Sequence, residues 1–193
     1  MNIVTHTLSG VIAVLLLTIV GLVVGTAVTP ARAGGGFTVS SPDIKDGGVM
    51  GDDFVFNGFG CNGKNISPAL NWSGAPAGTE SFAITAFDPD APTGSGWWHW
   101  TMYNLPNNST GVPTGMGSGA VRVPKHVSQG LNDFGIESYG GACPPKGDKP
   151  HRYIFTVYAL KVARFDVPDR ASPAMIGFNI NANKLAEASI TVT

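Results

Sequence analysis

Residues 81–87 read SFAITAF, and their reading decides the fold. Phe82, Ile84 and Ala86 alternate to one side, while Ala83 and Phe87 point to the other. A strand that is apolar on both sides lies inside a sheet that is covered on both faces. Residues 98–105 (WHWTMYNL) and 153–160 (YIFTVYAL) have the same double-faced character, so three interior strands are predicted. Working outward, residues 37–41 (FTVSS) and 54–59 (FVFNGF) read as half-buried strands. Residues 67–72 (SPALNW) turn and then extend, ahead of a loop at 74–78 (GAPAG). One helix is predicted, with Ser172 as N-cap, Pro173 at the first helical position and Met175, Phe178, Ala182 and Leu185 at spacings of three and four. It is expected to end near Ala188, leaving residues 190–192 as a last strand. Residues 107–147 read as long loops with isolated strand pieces, the kind of segment that carries function in a small domain.

Composition agrees with a single β-rich domain. The 193 residues include 26 glycines and 14 prolines, spread along the chain as turn-formers between short strands. Only 13% are charged, the formal net charge is -1 and no basic run occurs, which excludes a nucleic-acid-coating surface.

The N-terminus differs from the rest. Residues 8–28 carry no charge and lead to Ala31-Arg32-Ala33, a small-residue pattern that fits signal-peptidase cleavage after Ala33. Residues 1–7 hold no Lys or Arg, unlike the usual signal start, and an apolar stretch of about 20 residues is also long enough to anchor a protein in a bilayer. The expected organisation is a signal peptide at 1–33, a glycine linker at 34–36 and one domain at 37–193, periplasmic or secreted, with no membrane span after cleavage. Export bears on Cys61 and Cys143: with no CxxC spacing they do not make a zinc site, and an even pair in an oxidising compartment is usually a disulfide, the alternative being two buried thiols.

Two stretches carry chemistry. In residues 88–100, DPDAPTGSGWWHW, Pro89 holds Asp88 extended, so Asp88 and Asp90 are expected to project together at a strand mouth. Two carboxylates that close bind a cation or donor between them, or share a proton. His99 is in the next strand on the parity of Trp97, Thr101 and Tyr103. The same run also reads as an ordinary Asx-turn beside a core histidine. In residues 139–153, YGGACPPKGDKPHRY, Gly140 and Gly141 offer backbone N–H groups as an anion cradle, and His151 and Tyr153 share a side with Arg152 opposite. The bland alternative is a proline-stiffened loop with Arg152 in a structural ion pair.

Together these stretches resemble the two signature regions of the phosphatidylethanolamine-binding proteins, also called Raf kinase inhibitor-like proteins. The likeness is greatest to the bacterial YbhB/YbcL branch, through residues 65–68 (NISP), 94–100 (GSGWWHW), 132–135 (NDFG) and 142–153 (ACPPKGDKPHRY). It runs from about residue 37 to 193. The resemblance implies a mainly β fold, a β-sandwich with a large central sheet, a smaller second sheet and few helices. It implies a pocket at a sheet end for phosphate, phosphoethanolamine head groups or carboxylates, and no cofactor. Carried over, the pocket is walled by Asp88, Asp90, His99, His151 and Tyr153, with Pro92, Gly141, Pro144 and Pro145 at the rim. Eukaryotic members close the pocket with a C-terminal helix, whereas this chain ends in a strand, so a more open pocket is expected. An exported chain does not meet its own cell's kinases, so the kinase-inhibitor description transfers poorly, and a protein partner in a kinase pathway or a protease is an expectation of docking alone.

Enzyme motifs are missing. No GxSxG, HExxH or Walker A sequence occurs, and DFG at 133–135 imitates a kinase motif and HRY at 151–153 half imitates another by coincidence, without their partners. The sequons at Asn65, Asn71, Asn107 and Asn108 read as turn-forming asparagines. The expected protein is a noncatalytic binder in which protonated histidine, an aspartate carrying a proton and loop N–H groups accept an anion. A weak hydrolase using the Asp pair and His99, or a docking regulator using the rim, are the alternatives.

Overall fold

The computed structural model describes residues 36–193. The expected signal segment at 1–33 and the first two linker glycines lie outside the described residues. Among the described residues no helix is long and apolar enough to cross a membrane.

The strands are β1 (Thr38–Ser40), β2 (Asn57–Gly58), β3 (Cys61–Asn62), β4 (Leu70–Ser73), β5 (Ser81–Asp88), β6 (Trp97–Pro106), β7 (Gly111–Val112), β8 (Ser128–Gln129), β9 (Tyr153–Leu160) and β10 (Lys184–Val192), with helix α1 (Pro173–Asn183) before the last. The central sheet has the order β10-β9-β5-β6-β8, and the second sheet β1-β4-β7. The three double-faced stretches are the three middle strands of the central sheet. β5 is buried at every residue but Phe87, which is half-buried. Phe82, Ile84 and Ala86 pack with Leu70, Trp72 and Val112 of the second sheet, while Ala83 packs with Ile176 and Ile180 of α1. The architecture is the expected mainly β sandwich.

Three elements depart from expectation. Residues 54–59 do not form one strand: Phe54 closes a 3-10 turn and Asn57–Gly58 pairs back on Cys61–Asn62, with Phe59 at the tip at φ +53°. The glycines at 58 and 60 favour a reversal over continued extension. Ser172 caps α1 as expected, its hydroxyl accepting from Met175 N at 3.3 Å. The buried face of the helix, however, is Pro173, Ile176 and Ile180, and Met175, Phe178 and Leu185 are exposed. α1 also ends at Asn183, because Lys184–Val192 finds an antiparallel partner in β9, from Lys184 opposite Leu160 to Val192 opposite Tyr153 with a bulge at Leu185. That ladder outweighs continued helix.

Candidate ligand-binding site

The site is built where β5, β6 and β9 end together. Ala86 pairs with Trp100 but Phe87 pairs with Trp98, so β6 carries one extra residue, His99, as a β-bulge. The bulge breaks the expected parity: Trp97 and His99 line a cavity with Asp88, whereas Tyr103 packs on the helix side.

His99 is 4% exposed, and its Nδ1 lies 2.7 Å from Gly140 O and 3.1 Å from Gly141 O. Carbonyls only accept, so Nδ1 carries the hydrogen and Nε2 is left with a lone pair in the neutral ring. Nε2 is buried without a partner. Burial pushes the His99 pKa below the ordinary histidine range, against the opposing pull of the Gly140 carbonyl and the charge of Asp88.

Asp88 is buried at the cavity wall. Its Oδ1 accepts from Asp90 N at 2.8 Å and Ala91 N at 3.0 Å, and its Oδ2 lies 2.8 Å from His151 Nδ1. The Asx-turn and the binding reading are thus the same object: the turn fixes the carboxylate that orients His151. Both carboxylate oxygens are thus engaged, Oδ1 in the turn and Oδ2 in holding His151. His151 is held from its other side by Asp148, Nε2 to Oδ2 at 3.4 Å.

Asp90 does not share this space with Asp88. Its carboxylate receives Arg152 Nε at 2.8 Å and Nη2 at 2.9 Å, and Arg152 backbone N at 2.9 Å. These bonds hold the Asp90 carboxyl well below the usual carboxylate range and spend it on the structural ion pair that Arg152 was read as offering. Nor is there an amide cradle at Gly140 and Gly141. Gly140 N donates to His99 O at 2.9 Å and Gly141 N to Asn65 Oδ1 at 2.7 Å, so this loop presents carbonyls to His99 instead.

The cavity, about 200 Å³, is lined by Asp88, Pro92, His99, Pro145 and His151 of the expected set. Tyr153 stands edge-on to His99 at 5.2 Å and, with Pro144, lines the adjoining cavity that shares His151. Burial raises the Tyr153 pKa, keeping a neutral hydroxyl, and that hydroxyl is buried without a partner. Gly141 lies behind His99, packed so closely that an added Cβ would strike the backbone of Phe54 and Phe56. Gly141→Ala is therefore expected to displace the carbonyl that orients His99 and to cost about 1–3 kcal/mol, read by urea unfolding.

Several residues around the site lay in stretches singled out in the sequence but were not assigned to the pocket there. Asn132, 3% exposed, donates to Ser138 O at 2.8 Å and accepts from Phe134 N at 3.0 Å, and so sets Phe134 against His99 at 5.4 Å. Asn65 sits at φ +55° with its side-chain oxygen committed to Gly141, a turn role rather than a sugar acceptor. Trp97, Phe134 and Phe59 also line the cavity. Cys61 and Cys143 form the disulfide, with Cα atoms 6.0 Å apart, and Cys143 lies at the cavity wall. Among the described residues no group of three or more His, Cys, Asp or Glu is placed to hold a metal ion.

Comparison with known proteins identifies the family and agrees with the fold. Residues 40–193 match the family model described as phosphatidylethanolamine-binding protein. YbcL of Escherichia coli is 53% identical over 156 residues, covering 80% of this chain and 85% of its own, and YbhB of the same organism is 55% identical over 151 residues, covering 78% and 95%. The crystal structure of E. coli YbcL superposes with a TM-score of 0.79 at 52% identity, covering 82% of this chain and 97% of that one. With a signature-bearing site, a matching fold and a family match over four fifths of its length, the chain belongs to the phosphatidylethanolamine-binding protein family.

Proposed function

We propose that this is an exported, noncatalytic binding protein whose cavity holds a small anionic group, phosphate or carboxylate, of the kind found on phospholipid head groups. The observation that carries the reading is the buried, partnerless Nε2 of His99 at a cavity wall, beside a histidine that Asp88 holds in place. A protonated His99 turns Nε2 into a charged donor aimed at a ligand oxygen. His151, whose Nε2 stands 3.4 Å from the half-exposed Asp148, is a second ring that a ligand reaches by displacing that carboxylate. Support for noncatalytic binding comes from the lining. Among the described residues, its one hydroxyl, Thr93, donates to Gly96 O at 2.5 Å, and Cys143 is in a disulfide, so neither is an activated nucleophile. The uncharged stretch at residues 8–28 and the disulfide support a periplasmic or secreted location.

Burial disfavours the charged ring of His99, and an anion on Nε2 favours it, so proton and anion bind together. Affinity is expected to rise as pH falls through the histidine range and to weaken as it rises. Asp88, Asp133 and His151 are the titratable neighbours that modulate this. Titration of the domain with inorganic phosphate and phosphoethanolamine, followed by histidine NMR signals between about pH 5 and 8, tests it. Affinity flat across that range, or unchanged in His99→Ala, would refute the assignment.

A further inference from the structure

Phe59 is a bulky aromatic at the tip of a two-residue hairpin with φ +53°, a left-handed conformation that Asn or Gly adopts freely and Phe rarely. It is 78% exposed, yet it lines the cavity. Its position is enforced: β2 pairs with β3 around it, and Cys61, two residues on, is tied by disulfide to Cys143 in the cavity wall. The ring packs on Phe56 of the same hairpin at 5.6 Å while also lining the cavity, so the strained position supplies an aromatic surface to both.

The ring joins three others, with Phe56 stacked behind Phe134 at 4.3 Å. Phe59 and Phe134 lie 5.7 Å apart at 28°, and Trp97 stands edge-on to Phe134 at 5.3 Å and 78°. Two near-parallel rings and a perpendicular third form a corner that fits a flat ring, stacked on one wall and edge-on to the other. Ala91, Pro92 and Pro145 complete an uncharged lining. A cationic tail would seek a carboxylate, but among the described residues Asp88 is the one lining the cavity, and it already accepts three hydrogen bonds. The volume, about 200 Å³, is below the roughly 300–1,000 Å³ of sites for larger ligands and suits one ring beside one acid group.

We propose that Phe59, Phe134 and Trp97 form an aromatic subsite that selects anions carried on a flat apolar ring, with Phe59 as the specificity-determining residue. This rests on the anion-binding reading of His99 and His151. The test compares inorganic phosphate, phenyl phosphate and phosphocholine binding to the wild-type domain, Phe59→Ala and Phe59→Leu, the last keeping bulk without a flat face. The expected result is that wild type prefers phenyl phosphate to phosphate, and that both variants lower this preference about three- to tenfold. An unchanged preference overturns the proposal, and a larger loss for phosphocholine than for phenyl phosphate overturns the choice of an arene over a cation. Uncharged benzyl alcohol separates the two readings. If phosphate fails to bind but benzyl alcohol shifts the Trp97 and Phe134 resonances in a Phe59-dependent way, the aromatic subsite stands and the anion reading fails. If benzyl alcohol leaves those resonances unmoved, the subsite is refuted.

Discussion

Replacing Cys61 and Cys143 by alanine is expected to lower the free energy of unfolding by roughly 4–5 kcal/mol on the chain-entropy model, the largest single effect anticipated for this domain. The bridge joins positions 82 residues apart, so it removes a large loop-closure entropy from the unfolded chain. For a domain of this size the loss corresponds to about 10–15 °C in Tm. Urea unfolding of the double variant, and of the wild type under reductant, should give the same midpoint. A loss below about 1 kcal/mol would show that the unfolded chain gains little freedom when the bridge opens. The native state is affected locally as well, because the bridge is what ties the Phe59 hairpin to the cavity wall.

Asp88→Ala is expected to cost about 3–5 kcal/mol, because it strips an acceptor from three donors at once in a site where water does not easily replace it. The donors are Asp90 N, Ala91 N and His151 Nδ1, and His151 is 2% exposed. Asp88→Asn keeps one accepting oxygen and is expected to lose about half as much. Denaturant unfolding of both variants, with the His151 Nδ1 proton followed by NMR, distinguishes a strut from a bystander. Equal stability of wild type and Asp88→Ala would mean that the turn and His151 find other partners. Acid acts on this region in one direction. Asp90 and His99 both have folded pKa values below their unfolded ones, so each contributes stability above its unfolded pKa that is lost as pH falls towards the folded value. Anion affinity and fold stability therefore respond to acid with opposite signs.

What was legible in the sequence was what depends on one segment at a time. The middle strands declared themselves because residues 81–87 and 153–160 are apolar on both faces, a pattern with few other solutions. The start of α1 was legible because Ser172 and Pro173 act within one turn. The buried face was not: Met175 with Phe178, and Ile176 with Ile180, are both apolar pairs at helical spacing, and only the shape of the sheet surface selects the second. The same limit applies at the site. Asp88 and His151 were recognisable as site residues by type and motif, but the fate of Asp90 depends on Arg152, 62 residues away, and the amides of Gly140 and Gly141 are consumed by β6 and by Asn65. Phe134 was visible within the NDFG stretch of the family resemblance and in a misleading DFG triplet, but not as a lining residue. Its role comes from the buried amide of Asn132, which shapes the loop around it.

The bulge at His99 gives β6 two reading frames. Beyond it, Trp100 and Met102 are counted into the hydrophobic core; before it, Trp97 is counted into the cavity, and His99 itself is the residue by which the two frames differ. Deleting one residue there would leave the composition of the strand almost untouched, yet it would slide the polar side chains out of the cavity or the core side chains out of the sandwich. When relatives of this chain are aligned, the number of residues between Trp97 and Trp100 is therefore as diagnostic of a working site as the presence of the histidine.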